Sequence, residues 1–182
     1  LEKTGGSSIE HIFTGIQWWF IKSNYLKKIN YDEGRTQHIN LSHAKILYKK
    51  FDTYKKICIV RHPESLFISK LNWFGYSGKI RGKDIKCLIK QNQSRWKINK
   101  LSDFLESKDN YDFIIRFEHF EQDYYEMLKR FNLDANKFKL ITLKKQNHTI
   151  RYNSIILTPR AKKIIQKYSL EYCKNFDYKY NI

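Results

Sequence analysis

Two short, uninterrupted apolar runs, Ile57-Cys58-Ile59-Val60 and Phe113-Ile114-Ile115, constrain this chain more than any other feature. A strand buried on one face alternates apolar and polar residues. An unbroken run needs cover on both faces, which suits a parallel strand flanked by helices. Each run is followed by a helical pattern. Glu64 to Trp73 follows the first, with Pro63 close to its first turn. Glu118 to Phe131 follows the second, with Phe120, Tyr124, Met127 and Leu128 on one side. Strands alternating with helices predict an α/β fold with a short, mostly parallel central sheet. In such sheets ligands bind beyond the carboxyl ends of the strands, and Arg61 stands at one such end.

The remaining segments extend this pattern. Ser7 to about Lys22 carries Ile9, Phe13, Ile16, Trp19 and Phe20 at helical spacing, with Ser7 or Ser8 as its cap. Asn24 to Asn40 reads as irregular, and Leu41 to Phe51 as a short helix. Phe74 to Lys83, with its glycines, serine and charges, is expected to be a mobile loop. Asp84 to Glu106 is expected to hold two helices, Phe138 to Leu143 a third strand, and Pro159 to about Asn175 a terminal helix. Trp18, Trp19, Phe67 and Trp73 are expected to pack in the core. At 182 residues, with no repeat and no Pro/Ser-rich linker, the expectation is a single domain.

The 35 Lys and Arg against 18 Asp and Glu give a formal charge of +17, a field that attracts anions. Charge alone permits an anionic ligand without choosing one. Three cysteines, Cys58, Cys87 and Cys173, form an odd set without metal-ligand spacing. They read as free thiols in a reducing, cytoplasmic compartment. No apolar run approaches the roughly 20 residues of a membrane span, and no secretory pattern stands in the sequence.

Two motifs carry chemistry. Lys3-Thr4-Gly5-Gly6-Ser7-Ser8 offers close backbone approach, hydroxyl donors, a cation and the N-terminus of the following helix to an anion. An ordinary glycine-rich turn capping a helix is the competing reading. Its order is not that of a nucleotide-kinase loop, G-x-x-x-x-G-K-[ST]. Arg61-His62-Pro63, with Ser69 eight residues after Arg61, places a planar cation and a helical hydroxyl where both can grip a phosphate. Taken alone, it is equally a surface arginine and a helical serine.

Together the motifs resemble the sulfotransferases that use 3′-phosphoadenosine 5′-phosphosulfate (PAPS), of the family-2 type that includes heparan sulfate 2-O-sulfotransferase. Gln93-Ser94-Arg95-Trp96, Tyr111 to Glu118, Asn147-His148-Thr149 and the segment from Thr158 to Tyr178 extend the resemblance through most of the chain. It implies a P-loop-like three-layer fold and transfer of a sulfuryl group to a hydroxyl without a metal. It implies that Lys3, Thr4, Gly5, Gly6, Ser7 and Ser8 hold the 5′-phosphosulfate and that Arg61 and Ser69 hold the 3′-phosphate. Lys3 would also stabilise the leaving oxygen. His38 is the expected general base, because it precedes Arg61 by 23 residues (61 − 38), much as the catalytic histidine does in the heparan-type enzymes. His43 and Glu10 are the alternatives.

The sequence departs from the family at three points. Glu2 stands where Pro usually precedes the lysine, and Leu66 where a second arginine often stands in the Arg-x-Pro helix. Only Leu1 and Glu2 precede Lys3, so the first strand is expected to be truncated or replaced. The charge favours an acidic glycan as acceptor, a small-molecule alcohol and a tyrosine remaining open, with neither nucleic acid nor a membrane span expected. Lys144, Lys145 and Arg151 would close over the nucleotide or receive that acceptor, and a solvated basic face is the equally open reading. The competing classes are a degenerate PAPS-binding protein, a magnesium-dependent phosphotransferase and a basic nucleic-acid-binding domain, whose affinity would be salt-sensitive and independent of Lys3.

Overall fold

A computed structural model of the chain describes residues 41–47, 49–96, 100–105, 107–139 and 154–180. These residues form a mixed α/β structure with two short parallel sheets of two strands each. They divide between two compact units, one drawn from Leu1–Val60 and Asp109–Leu143, the other from Arg61–Lys108 and Lys144–Ile182.

In the first unit, helix α1 (Leu41–Leu47) and a 3-10 turn (Phe51–Thr53) lead into strand β1 (Ile57–Val60). Both apolar runs form the strands they predict. The second is β3 (Phe113–Arg116), parallel to β1 with Ile57 opposite Phe113 and Val60 opposite Arg116. Helix α4 (Phe120–Arg130) then packs Tyr124, Met127 and Leu128 against Phe113 and Ile115, with Ile57 and Ile59 at the border of this core. Full burial of side chains of this size stabilises by about 1.5–3 kcal/mol each. Two residues past the end of helix α4, Asn132 at φ 54° lets the Leu133 N–H return to the Leu128 carbonyl at 2.9 Å.

The third predicted strand is not seen where its first residues are described. The Phe138 N–H closes a turn on the Asp134 carbonyl, 3.0 Å away, and the Tyr124 hydroxyl donates to the Phe138 carbonyl at 2.7 Å. The rest of that segment lies outside the described residues.

The second unit contains helix α2 (Pro63–Trp73), strand β2 (Gly78–Ile80), helix α3 (Gly82–Trp96), strand β4 (Ile155–Leu157) and helices α5 (Pro159–Tyr168) and α6 (Leu170–Asn175). Its core joins Phe67 and Leu71 of α2, Ile80, Ile85, Leu88, Leu157, Ala161 and Ile165. The expected mobile loop at 74–83 instead holds β2, which runs parallel to β4 from Gly78 opposite Ile155 to Ile80 opposite Leu157. Ladder hydrogen bonds and burial of Ile80 fix it, and neither is visible in the local composition. Gly75, at φ 77°, turns the chain out of α2 toward this strand.

Two further expectations are corrected. Trp73 is not in the core but 52% exposed, at the last residue of α2. The single terminal helix is two, broken at Ser169, whose hydroxyl donates to the Ile165 carbonyl at 2.7 Å. Such back-bonding competes with the helix's own ladder. Leu101–Phe104, in the segment expected to hold a second helix after α3, is a 3-10 turn.

The three cysteines are free, Cys58 and Cys173 buried and Cys87 exposed. Among the described residues no helix is long and apolar enough to cross a membrane.

Candidate functional site

Strand β1 delivers Arg61 directly to the start of α2. Pro63 occupies the first turn of that helix, where its fixed φ suits the helix and its missing N–H costs nothing. Glu64 lies in the same turn, favourable to the helix dipole, with Lys162 Nζ 3.8 Å from its carboxylate. The buried side of α2 is Pro63, Leu66, Phe67, Lys70 and Leu71. Leu66 is fully buried. An arginine there would bring a charge that burial penalises unless it is paired.

The other side of α2 carries Ser65 and Ser69, four residues apart and therefore one turn apart on a common face. The Arg61 guanidinium donates through Nε to Ser65 Oγ at 2.8 Å, and that hydroxyl donates to the His62 carbonyl at 3.1 Å. The arginine head is thus anchored at the N-terminus of an 11-residue helix, whose first N–H groups and dipole favour an anion. Arg61, Ser65 and Ser69 are all half-buried.

The backbone of Arg61 is held as firmly as its head. The hydroxyl of Tyr172 on α6 accepts the Arg61 N–H and donates to the Arg61 carbonyl, each at 3.0 Å. The Tyr172 ring is fully buried. It stacks on Tyr178 with centroids 6.0 Å apart and 6° between the planes. His62 in turn meets Tyr178 and Tyr180 edge-on at 5.6 and 5.3 Å. The segment reaches this place because Asp177, at φ 57°, turns the chain after α6 and lets the Tyr178 N–H bond the Cys173 carbonyl at 2.9 Å. Tyr180 is fixed at its far end by a 2.5 Å hydrogen bond to Ser169, and burial pushes its hydroxyl pKa up.

Of the binding residues singled out in the sequence, Arg61 and Ser69 fall within the described structure, one in the connection that follows β1 and one on the second turn of α2. Lys3, Thr4, Gly5, Gly6, Ser7, Ser8 and His38 lie outside the described residues, as do Lys144, Lys145 and Arg151. Ser65 and Tyr172 were not anticipated. Helical spacing could have found Ser65, since it precedes Ser69 by one turn. No local signal marks Tyr172, which is 111 residues from its partner. Among the described residues no group of three or more His, Cys, Asp or Glu side chains is placed to hold a metal ion.

Comparison of the chain with protein-family models, with curated proteins and with solved structures finds no match.

Proposed function

We propose that this chain is a PAPS-dependent sulfotransferase of P-loop-like fold that moves a sulfuryl group to a hydroxyl on a carbohydrate, an acidic glycan being the class its charge of +17 favours. The observation that carries the reading is the anchoring of Arg61. Its head is tied to Ser65 at the N-terminus of α2, with Ser69 one turn further along the same face. This arrangement suits the 3′-phosphate that distinguishes PAPS from ordinary adenine nucleotides: a planar cation held in place by Ser65, the Ser69 hydroxyl and a helix dipole.

The sequence resemblance supplies the other half. Lys3 through Ser8 would take the 5′-phosphosulfate, and His38 would accept the proton of the acceptor hydroxyl as its oxygen attacks sulfur. The bond from sulfur to the bridging oxygen breaks, Lys3 stabilises the charge left on that oxygen, and 3′-phosphoadenosine 5′-phosphate (PAP) departs. In-line placement and charge stabilisation are the protein's share of such a transfer. The three free thiols fit a reducing, cytoplasmic setting within the same reading.

The test is thermal unfolding with PAP, ADP and ATP in the absence of metal, on the wild type and Arg61→Ala. PAP at about 100 times its dissociation constant should stabilise by about 2.7 kcal/mol. A shift specific to PAP and lost in Arg61→Ala supports the site, and transfer of labelled sulfate from PAPS to desulfated heparin then tests turnover. An equal response to ATP, or none to PAP, overturns the assignment. Binding without transfer to any glycan would leave a PAP-binding protein in place of an enzyme.

A further inference from the structure

We infer that Tyr172 is a positioning residue for the 3′-phosphate, acting through the backbone of Arg61; this rests on the sulfotransferase reading above. An arginine is a long side chain, and a phosphate must otherwise order it at the moment of binding. Ordering it beforehand lowers that cost. Ser65 orders one end, through its 2.8 Å contact with Nε. Where the side chain starts from is set by the Arg61 backbone, and there the Tyr172 hydroxyl satisfies both polar groups, N–H and C=O, at 3.0 Å. One hydroxyl accepting from and donating to the same residue fixes that peptide segment against rotation. The loss of either bond frees it.

Tyr172 is itself held in place. Its ring is fully buried, Phe176 lies 5.0 Å away, and Tyr178 stacks on it. The same Tyr178 meets His62, the residue between Arg61 and Pro63. The arginine's backbone is therefore tied to a segment near residue 178 that has no need to touch the ligand. A purely structural tyrosine would affect all ligands alike. A residue acting through Arg61 should affect only ligands that carry a 3′-phosphate.

The experiment is calorimetric titration of PAP and of 5′-AMP, which lacks the 3′-phosphate, into wild type, Tyr172→Phe, Arg61→Ala and the double variant. Tyr172→Phe should weaken PAP by about fivefold, the typical value of one net hydrogen bond, and leave 5′-AMP unchanged. In the Arg61→Ala background it should cost nothing further, the coupling expected of residues acting as one unit. Tyr178→Leu, which removes the half-buried ring stacked on Tyr172 and set edge-on to His62, should give a smaller loss of the same selectivity and serves if Tyr172→Phe does not fold. Equal losses for both nucleotides, an undiminished loss in the Arg61→Ala background, or no loss at all would each overturn the inference. Wild type that fails to prefer PAP over 5′-AMP overturns the sulfotransferase reading, and this role with it. Wild type that prefers PAP while Tyr172→Phe prefers it by the same factor overturns the role alone.

Discussion

The hydroxyl of Tyr172 bridges the N–H and the C=O of Arg61, both at 3.0 Å, across 111 residues of sequence. Arg61 is thereby fastened to the helix pair near residue 170, within the second unit. The fastening depends on how the chain leaves α6, because the turn at Asp177 is what returns Tyr178 to the Tyr172 ring.

That turn gives the first prediction. Asp177 holds φ 57°, a region tolerated by Asp, Asn and Gly and penalised in β-branched residues. Asp177→Val should destabilise by about 1–2 kcal/mol, while Asp177→Gly should be close to neutral. Asp177 also pairs with Lys108 at 3.0 Å, but the carboxylate side chain is 76% exposed and such a pair contributes little. The glycine variant deletes the pair and keeps the turn, so denaturant midpoints of the two variants separate the effects.

A second prediction concerns the start of α4. Asp123 is 4% exposed and accepts both the Arg116 N–H at 2.8 Å and Arg116 Nε at 3.3 Å. It thus joins the end of β3 to the helix that follows. Asp123→Ala removes the acceptor of a backbone donor and should cost about 2–3 kcal/mol, measured by urea unfolding. Arg116→Ala, which keeps the backbone bond and removes only a half-exposed head, should cost less than half as much.

The third prediction is a pH dependence. Asp112 accepts the Lys56 N–H at 2.8 Å and has Lys55 Nζ 3.7 Å from its other oxygen. The backbone hydrogen bond first, then the neighbouring lysines, hold its carboxyl below the usual carboxylate range. The folded pKa lies under the unfolded one, so the stabilisation is complete above about pH 4 and is lost as pH falls through the folded value. Asp112→Asn should therefore be less stable than wild type near neutrality, and the gap should close on acidification below about pH 4. A gap that stays constant down to the lowest pH of the titration would contradict this account.

Thiol chemistry supplies the fourth. Burial pushes the Cys58 thiol up to about 12 and raises that of Cys173, while Cys87 is exposed on α3. At pH 8 a disulfide reagent should modify Cys87 alone in the native protein and all three cysteines in denaturant. For Cys58 the folded pKa is the higher one. Its stabilising contribution is full below the unfolded value of roughly 8.5 and declines as pH rises toward about 12.

The sequence is most legible where burial dictates composition. β1 and β3 stand out because in each run one face is buried and the other half-buried, which disfavours polar residues across Ile57–Val60 and Phe113–Ile115. Helix α4 is legible through its apolar side, and α2 through Pro63. β2 and β4 are not, because each has three residues, only Ile80 and Leu157 are buried, and each pairs with a segment far away in sequence. The break at Ser169 was hidden by good helix formers on both sides. Trp73 misled because apolar character permits burial without enforcing it. At the candidate site, Arg61 was legible from its place after a strand. Tyr172, whose role depends on a contact 111 residues away, left no mark in the local pattern.

The two compact units alternate along the chain, since the segment beginning at Arg61 interrupts the first and the segment beginning at Asp109 interrupts the second. During synthesis, β2 must therefore wait for its partner: Ile155 follows Ile80 by 75 residues (155 − 80), about four to fifteen seconds of translation at ordinary rates. Until then its ladder groups and the apolar side of Ile80 stand open to wrong partners. A chain built this way cannot be trimmed to either unit by cutting at one point, and its second unit should be the one that leans on chaperones.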